Sequence, residues 1–214
     1  MTVEVKICGI STPDIMDATV EAGADYVGLV FFPKSPRHVS LSKARELAEI
    51  ASGRADVVAL VVDPDDRLIG ELGSEVGPDI IQLHGRETPE RTAEVAERSG
   101  ARTMKAIGVS DASDAERARA YADVADLILF DAKPPKDAVL PGGNGLPFDW
   151  TAIAPVAGDV DYMLSGGLTV QNVADGIAAT GASRIDVSSG VERAPGEKDA
   201  DLIRAFIQAA KSAR

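Results

Sequence analysis

The only cysteine among 214 residues, Cys8, ends the first apolar run, VEVKIC. A single buried thiol usually serves as a small hydrophobe. It is also a base or nucleophile once ionised, and a neighbouring ammonium favours that ionisation. Strand alternation puts Val3, Val5 and Ile7 on one face and Glu4, Lys6 and Cys8 on the other, so Lys6 is expected beside the thiol. A second candidate is Asp131, which directly follows four apolar residues in ADLILFD. Alone, such an aspartate is most often a solvated loop carboxylate. Paired across a cavity with a thiol of different intrinsic acidity, it suits a general acid facing a general base.

Three further patterns carry chemistry. PKSPRHV (33–39) holds Arg37 in a loop stiffened by two prolines, and a planar guanidinium suits bidentate capture of a carboxylate. LSGGL (164–168) and VSSGVE (187–192) are glycine turns. Gly166, Gly167 and Gly190 would let backbone N–H groups approach an anion, and Ser188 and Ser189 would add hydroxyl donors. His84, in IQLHG, could act as ligand or catalyst. The chain has only one other histidine, His38, and neither has partners at metal-ligand spacing, so no metal site is expected. No Walker-type loop occurs.

These residues need a frame, and the chain repeats one. Eight short β-branched or apolar runs, VEVKIC, DYVGLVFF, ADVVALVV, DIIQLH, RTMKAIGV, ADLILFD, DYMLSGG and RIDVSSG, alternate with helical stretches. Thr12-Pro13 and Thr88-Pro89 read as helix starts, and Gly23 and Gly100 as stops. In the last helix Leu202, Ile203, Phe206, Ile207 and Ala210 share one face. Strands that alternate with helices run parallel. Eight such units predict a single α/β domain over 1–214, a closed (β/α)₈ TIM barrel. The competing doubly wound sheet would want G-x-G-x-x-G after its first strand, where this chain has CGIST. In a barrel the apolar face of the first strand meets the helix shell, so Lys6 and Cys8 point inward. Chemistry then belongs at the C-terminal strand ends, and loops after the seventh and eighth strands frequently hold phosphate.

Composition limits the partners. There are 34 acidic and 22 basic side chains, net charge −12, which argues against nucleic acid or an anionic membrane. No apolar stretch reaches membrane-spanning length and no signal peptide is evident, so a cytoplasmic protein is expected. One cysteine fits a reducing compartment. Lysine is the poorer base, 8 against 14 Arg, and an acid-rich, lysine-poor surface suits a high-salt cytoplasm.

KICGI, GLVFFPKSPR, QLHG, GG-x-G-x-x-FDW, LSGGL and DVSSGVE…PG-x-KD occur in this order from Lys6 to about Asp199. Together they resemble the phosphoribosylanthranilate isomerase family of tryptophan biosynthesis. The resemblance implies a barrel that performs an Amadori rearrangement on a small phosphorylated substrate, N-(5′-phosphoribosyl)anthranilate. It implies no metal or organic cofactor. Matched by motif, Cys8 is the general base, Asp131 the general acid and Arg37 the anthranilate carboxylate site. The SGG and SSG loops, with Gly143, take the phosphate. Lys6, His84 and Asp186, the last pointing inward on the eighth strand, are supporting residues. The chain departs from the family pattern at Asn144, usually threonine, and Asp63, commonly asparagine. Another phosphosugar barrel would want a metal-ligand set or paired aspartates, and a silent phosphate-binding barrel would not need Cys8 and Asp131 together. A monomer or homodimer is expected.

Overall fold

The structure is a computed structural model and describes residues 2–133 and 148–213. Eight parallel strands close on themselves in sequence order. They are β1 (Glu4–Cys8), β2 (Tyr26–Phe31), β3 (Asp56–Val61), β4 (Ile80–Leu83), β5 (Arg102–Val109), β6 (Leu127–Ala132), β7 (Tyr162–Leu164) and β8 (Arg184–Val187). The ring is sealed where β1 pairs with β8, Lys6 beside Asp186. Seven strands lie within their runs, and β6 passes one residue beyond its own, to Ala132.

Aspartates immediately before β2, β4 and β6 tie the strand starts together. Asp25, Asp79 and Asp126 accept hydrogen bonds at 2.7–2.8 Å from the backbone N–H of Val5, Val57 and Thr103 on the preceding strands. Asp126 therefore belongs to the floor of the barrel, whereas Asp131 lies at the opposite end of β6.

The helical shell comprises α1 (Pro13–Glu21), α2 (Leu41–Ala51), α3 (Asp66–Glu75), α4 (Pro89–Ser99), α5 (Ala112–Ala115), α6 (Val173–Thr180) and α7 (Ala200–Ser212). Thr88 caps α4 by accepting from Arg91 N–H, and Gly100 ends it at φ 68°. Thr12 precedes Pro13 as expected but makes no side-chain cap bond; the proline alone marks that start. Two units deviate from strand-then-helix. After β5 a single α turn passes into a 3₁₀ turn (Glu116–Tyr121), and after β6 the described residues contain only a 3₁₀ turn (Trp150–Ile153). A short hairpin, β9 (Glu192–Ala194) and β10 (Glu197–Lys198), unforeseen in the sequence, precedes α7.

Two apolar clusters follow from alternation. Val3, Val5 and Ile7 join the large cluster between strands and helices, with Ile203, Phe206, Ile207 and Ala210 of α7. Inside the barrel, Tyr26, Val58, Ile80, Met104, Leu129 and Met163 form a smaller one. Above it the interior turns polar: Lys6, Gln82 and Asp186 are all buried. That polar layer is the floor of the mouth.

Candidate active site

Cys8 ends β1 and is buried at the mouth. Its neighbour across the sheet is Gly28 of β2, in register. A Cβ at residue 28 would stand 2.9 Å from the Cys8 Sγ and 3.0 Å from its Cα, so only glycine leaves the thiol its place.

Lys6 points inward below Cys8, as alternation requires, but its ammonium is not available to the thiol alone. Nζ donates at 2.8 Å to Asp186 Oδ1 and at 2.8 Å to Gln82 Oε1. Burial opposes the ammonium, and the charge and hydrogen bond of Asp186 outweigh it, so Lys6 is held above its ordinary pKa. Asp186 in turn accepts from Ser165 Oγ at 3.0 Å. For Cys8, burial pushes the thiol up and the charge of Asp186 adds to the rise, against downward pulls from Lys6 and Lys198. The net direction is upward. Lys6 does pull the thiol toward ionisation, as expected, but burial outweighs that pull and Asp186 offsets part of it.

The PKSPR loop folds back along β2, where Val39 N–H donates to Val30 O, and this carries Arg37 over the mouth. Arg37 is buried and held by a residue the sequence reading missed. Nε and Nη2 donate at 2.7 and 2.8 Å to the two carboxylate oxygens of Glu192. Glu192 Oε1 also accepts from Lys198 Nζ at 2.5 Å. Lys198 donates further to Ser188 O and, at 3.3 Å, to Ser188 Oγ. Burial acts to raise Glu192, but Arg37 and Lys198 outweigh it and hold the carboxyl below its ordinary value. Burial draws the Lys198 ammonium down, with Arg37 adding to the fall and Glu192 opposing it. One edge of the guanidinium is thus committed, and the Nη1 edge remains to grip a second carboxylate. Two cations against one anion leave this corner positive in a chain of net charge −12.

Across the mouth, Asp131 near the end of β6 lies with Oδ2 3.4 Å from Nε2 of His84. Its Oδ1 accepts from Ala132 N–H at 2.8 Å. The other ring nitrogen of His84, Nδ1, is 2.9 Å from Gln82 Nε2. Gln82 therefore joins Lys6 to His84, and a polar chain runs from Ser165 and Asp186 under Cys8 to Asp131.

The SGG and SSG loops abut each other. Gly166 and Gly167 have left-handed φ of 86° and 68°, a succession that turns the chain sharply after β7. Asn172 braces this turn, accepting from Thr169 N–H and donating to Gly167 O. A Cβ on Gly190 would overlap the Leu168 carbonyl oxygen, so only glycine lets the two loops meet this closely. The Ser188 hydroxyl donates to Cys8 O at 3.1 Å and ties β8 to β1. Ser189 opens a 3₁₀ turn (Ser189–Val191), half-buried beside it. Gly143 and Asn144 lie outside the described residues. Asp63 adopts φ 45°, a left-handed conformation that aspartate and asparagine tolerate best, and its Oδ1 accepts from Arg86 N–H at 2.6 Å. Among the described residues no cluster of three or more His, Cys, Asp or Glu side chains could hold a metal. No described helix is long and apolar enough to cross a membrane.

The family model for N-(5′phosphoribosyl)anthranilate (PRA) isomerase matches residues 5–209. The chain belongs to the PRA isomerase family. The N-(5′-phosphoribosyl)anthranilate isomerase of Paramagnetospirillum magneticum is 54 % identical over the full length of both chains. Among solved structures, a phosphoribosyl anthranilate isomerase in complex with reduced 1-(o-carboxyphenylamino)-1-deoxyribulose 5-phosphate aligns with a TM-score of 0.85. It is 38 % identical, and the alignment covers 98 % of each chain. The mutually generated monomers of the dimeric enzyme from Thermotoga maritima align with the same TM-score at 39 % identity, again over 98 % of each chain. Of the residues that complete this PRA isomerase mouth, Gln82, Glu192 and Lys198 were not singled out in the sequence. Lys198 stands within the PG-x-KD string, and Gln82 shares the inward face of β4 with Ile80, so alternation could have found it.

Proposed function

We propose that this mouth performs the family's Amadori rearrangement by general acid and base catalysis. N-(5′-phosphoribosyl)anthranilate becomes 1-(2-carboxyphenylamino)-1-deoxyribulose 5-phosphate. Asp131 gives its proton to the furanose ring oxygen as the C1′–O bond breaks, and the anilino nitrogen lone pair forms a protonated C1′=N imine. The imine acidifies C2′. Cys8, as thiolate, takes the C2′ proton, and the C–H electron pair becomes the C1′=C2′ bond of a neutral enolamine. A proton added at C1′ and the enol O–H proton released then give the ketone. Arg37 holds the anthranilate carboxylate through its Nη1 edge. Gly166, Gly167 and Ser189, with Gly143 and the backbone at Ser188 and Gly190, receive the phosphate.

One observation carries this reading: Cys8, Asp131 and Arg37 come from three separate strand–loop units and meet at the same end of one closed barrel. The positive corner at Arg37 and Lys198 supports an anionic substrate, and the acidic surface elsewhere supports no nucleic acid partner. A cytoplasmic enzyme of one or two copies completes the reading; sedimentation at micromolar concentration distinguishes monomer from dimer.

The test follows loss of phosphoribosylanthranilate fluorescence. Cys8→Ser and Asp131→Asn should each lose on the order of 10²-fold or more in kcat, the scale of general acid or base catalysis. Arg37→Ala should chiefly raise KM. Wild-type turnover by either of the first two variants removes that residue from the mechanism.

A further inference from the structure

The polar chain beneath the mouth fixes more than position, because hydrogen-bond direction propagates along it. Lys6 Nζ can only donate, so the Gln82 atom that faces it at 2.8 Å must be the carbonyl oxygen. The other end of that amide is then the NH₂ group, and it faces His84 Nδ1 at 2.9 Å. Nδ1 must accept. A neutral imidazole that accepts at Nδ1 carries its proton on Nε2, the nitrogen turned toward Asp131 Oδ2. The first two links are deep in the protein: Lys6 and Gln82 are 0 % and 1 % exposed, which keeps water from offering the amide another partner.

We propose that Lys6 and Gln82 lock His84 as the Nε2–H tautomer, and that His84 is thereby the positioning residue for the general acid. The inference rests on the reading of Asp131 as that acid. Its consequence is directional. With the opposite tautomer, the bare Nε2 would accept the carboxyl proton of Asp131 and turn it away from the substrate. With Nε2–H, the ring competes for no proton. Once Asp131 has protonated the ring oxygen, the carboxylate left behind gains a donor nitrogen 3.4 Å away, which favours the transition state over the neutral acid. The 3.4 Å separation is longer than a full hydrogen bond, the usual condition of catalytic pairs before substrate draws them together. His84 gains and loses no proton in the cycle.

Composition makes the test direct, because His84 and the exposed His38 are the only histidines. In protein labelled with ¹⁵N-histidine, the His84 signals, assigned by their loss in His84→Gln, should show a protonated Nε2 and a bare Nδ1. Gln82→Glu presents a carboxylate to the ring and should move the proton to Nδ1. In kinetics, His84→Ala should lose on the order of 10-fold or more in kcat with KM nearly unchanged, the worth of a hydrogen bond to a charged group. His84→Gln, whose amide can place an N–H near the Nε2 position, should recover part of that loss, which a merely structural role would not predict. A wild-type Nδ1–H tautomer, or a Gln82→Glu spectrum unchanged from wild type, overturns the proposal. If Gln82→Glu fails to fold, the wild-type spectrum and the two His84 variants decide it. Full turnover by Asp131→Asn would remove the acid reading and this inference with it. An inactive Asp131→Asn beside a fully active His84→Ala would overturn the inference alone.

Discussion

Substituting Gly28 by alanine moves the Cys8 thiol without altering any ionisable group. The added Cβ would stand 2.9 Å from Sγ, 3.0 Å from the Cys8 Cα and 3.3 Å from its Cβ. Carbon and sulfur contacts settle at about 3.5–4.0 Å, so the thiol must yield by roughly 0.6 Å or more. Rotating the thiol relieves only the Sγ contact; the Cα and Cβ contacts must be eased by shifting a strand paired on both sides, which carries the thiol with it. Overpacking of this kind costs about 1–3 kcal/mol. In a chain of this length that lowers Tm by roughly 2–12 °C. A reacting group displaced by about 1 Å loses about 10²-fold, so a fall of roughly 10- to 100-fold in kcat is expected. The assay is steady-state turnover with a thermal melt on the same preparation, repeated in a Cys8→Ala background. There Gly28→Ala should cost no further activity, because its effect passes through the thiol. An unchanged kcat, or an equal loss in the Cys8→Ala background, would refute the reasoning.

Other consequences follow from the charges and contacts at the mouth. Because burial and Asp186 hold the Cys8 thiol up, the thiolate forms late, and kcat/KM should still be climbing with pH above about 8.5, the ordinary cysteine value. Asp186→Asn removes a charge that raises this pKa, so the same limb should move to lower pH; movement to higher pH would count against Asp186 as the cause. Glu192→Gln leaves Arg37 and Lys198 buried without their anion, at a cost of about 3–5 kcal/mol in denaturant unfolding. An unchanged midpoint would mean that the cluster carries no such weight. Gly190→Ala forces the SGG and SSG loops apart and, if they hold the phosphate as proposed, should raise KM and weaken binding of inorganic phosphate, read by calorimetry, with wild-type binding as the contrary result.

The barrel was legible because its signals are local and repeated. A two-residue period assigns each strand two faces, and both faces of β1 fell where alternation put them, Val5 and Ile7 outward, Lys6 inward. The strand ends then marked Cys8 and Asp131 without any distance being known. Glu192 and Lys198 were hidden for the opposite reason. Their hairpin strands span three and two residues, too short to show a period, and each charge alone reads as a solvated side chain. Only closure of the chain brings Glu192 to Arg37, 155 residues away, and turns an ordinary surface pattern into a buried ion triad. Gln82 was half visible: alternation shows its face, but its partner Lys6 is 76 residues distant.

Burial, aided by the pairing of Lys6 with Asp186, bears on how one thiol could serve as a base without being ionised at rest. A cysteine under an uncompensated ammonium would be a standing thiolate but a weak base, since the charge that lowers its pKa also lowers its basicity. Here burial pushes the thiol up, and a carboxylate 2.8 Å from the ammonium offsets part of the opposing pull. The cation that favours its ionisation then has to come from the reaction. In the proposed mechanism ring opening makes a protonated imine one bond from C2′, so positive charge would arrive beside Cys8 at the step that needs the base and be gone once the enolamine forms. A resting thiol of high pKa gives the stronger base when it does ionise; burial holds it high against the pull of Lys6, and the charge of Asp186 adds to the rise.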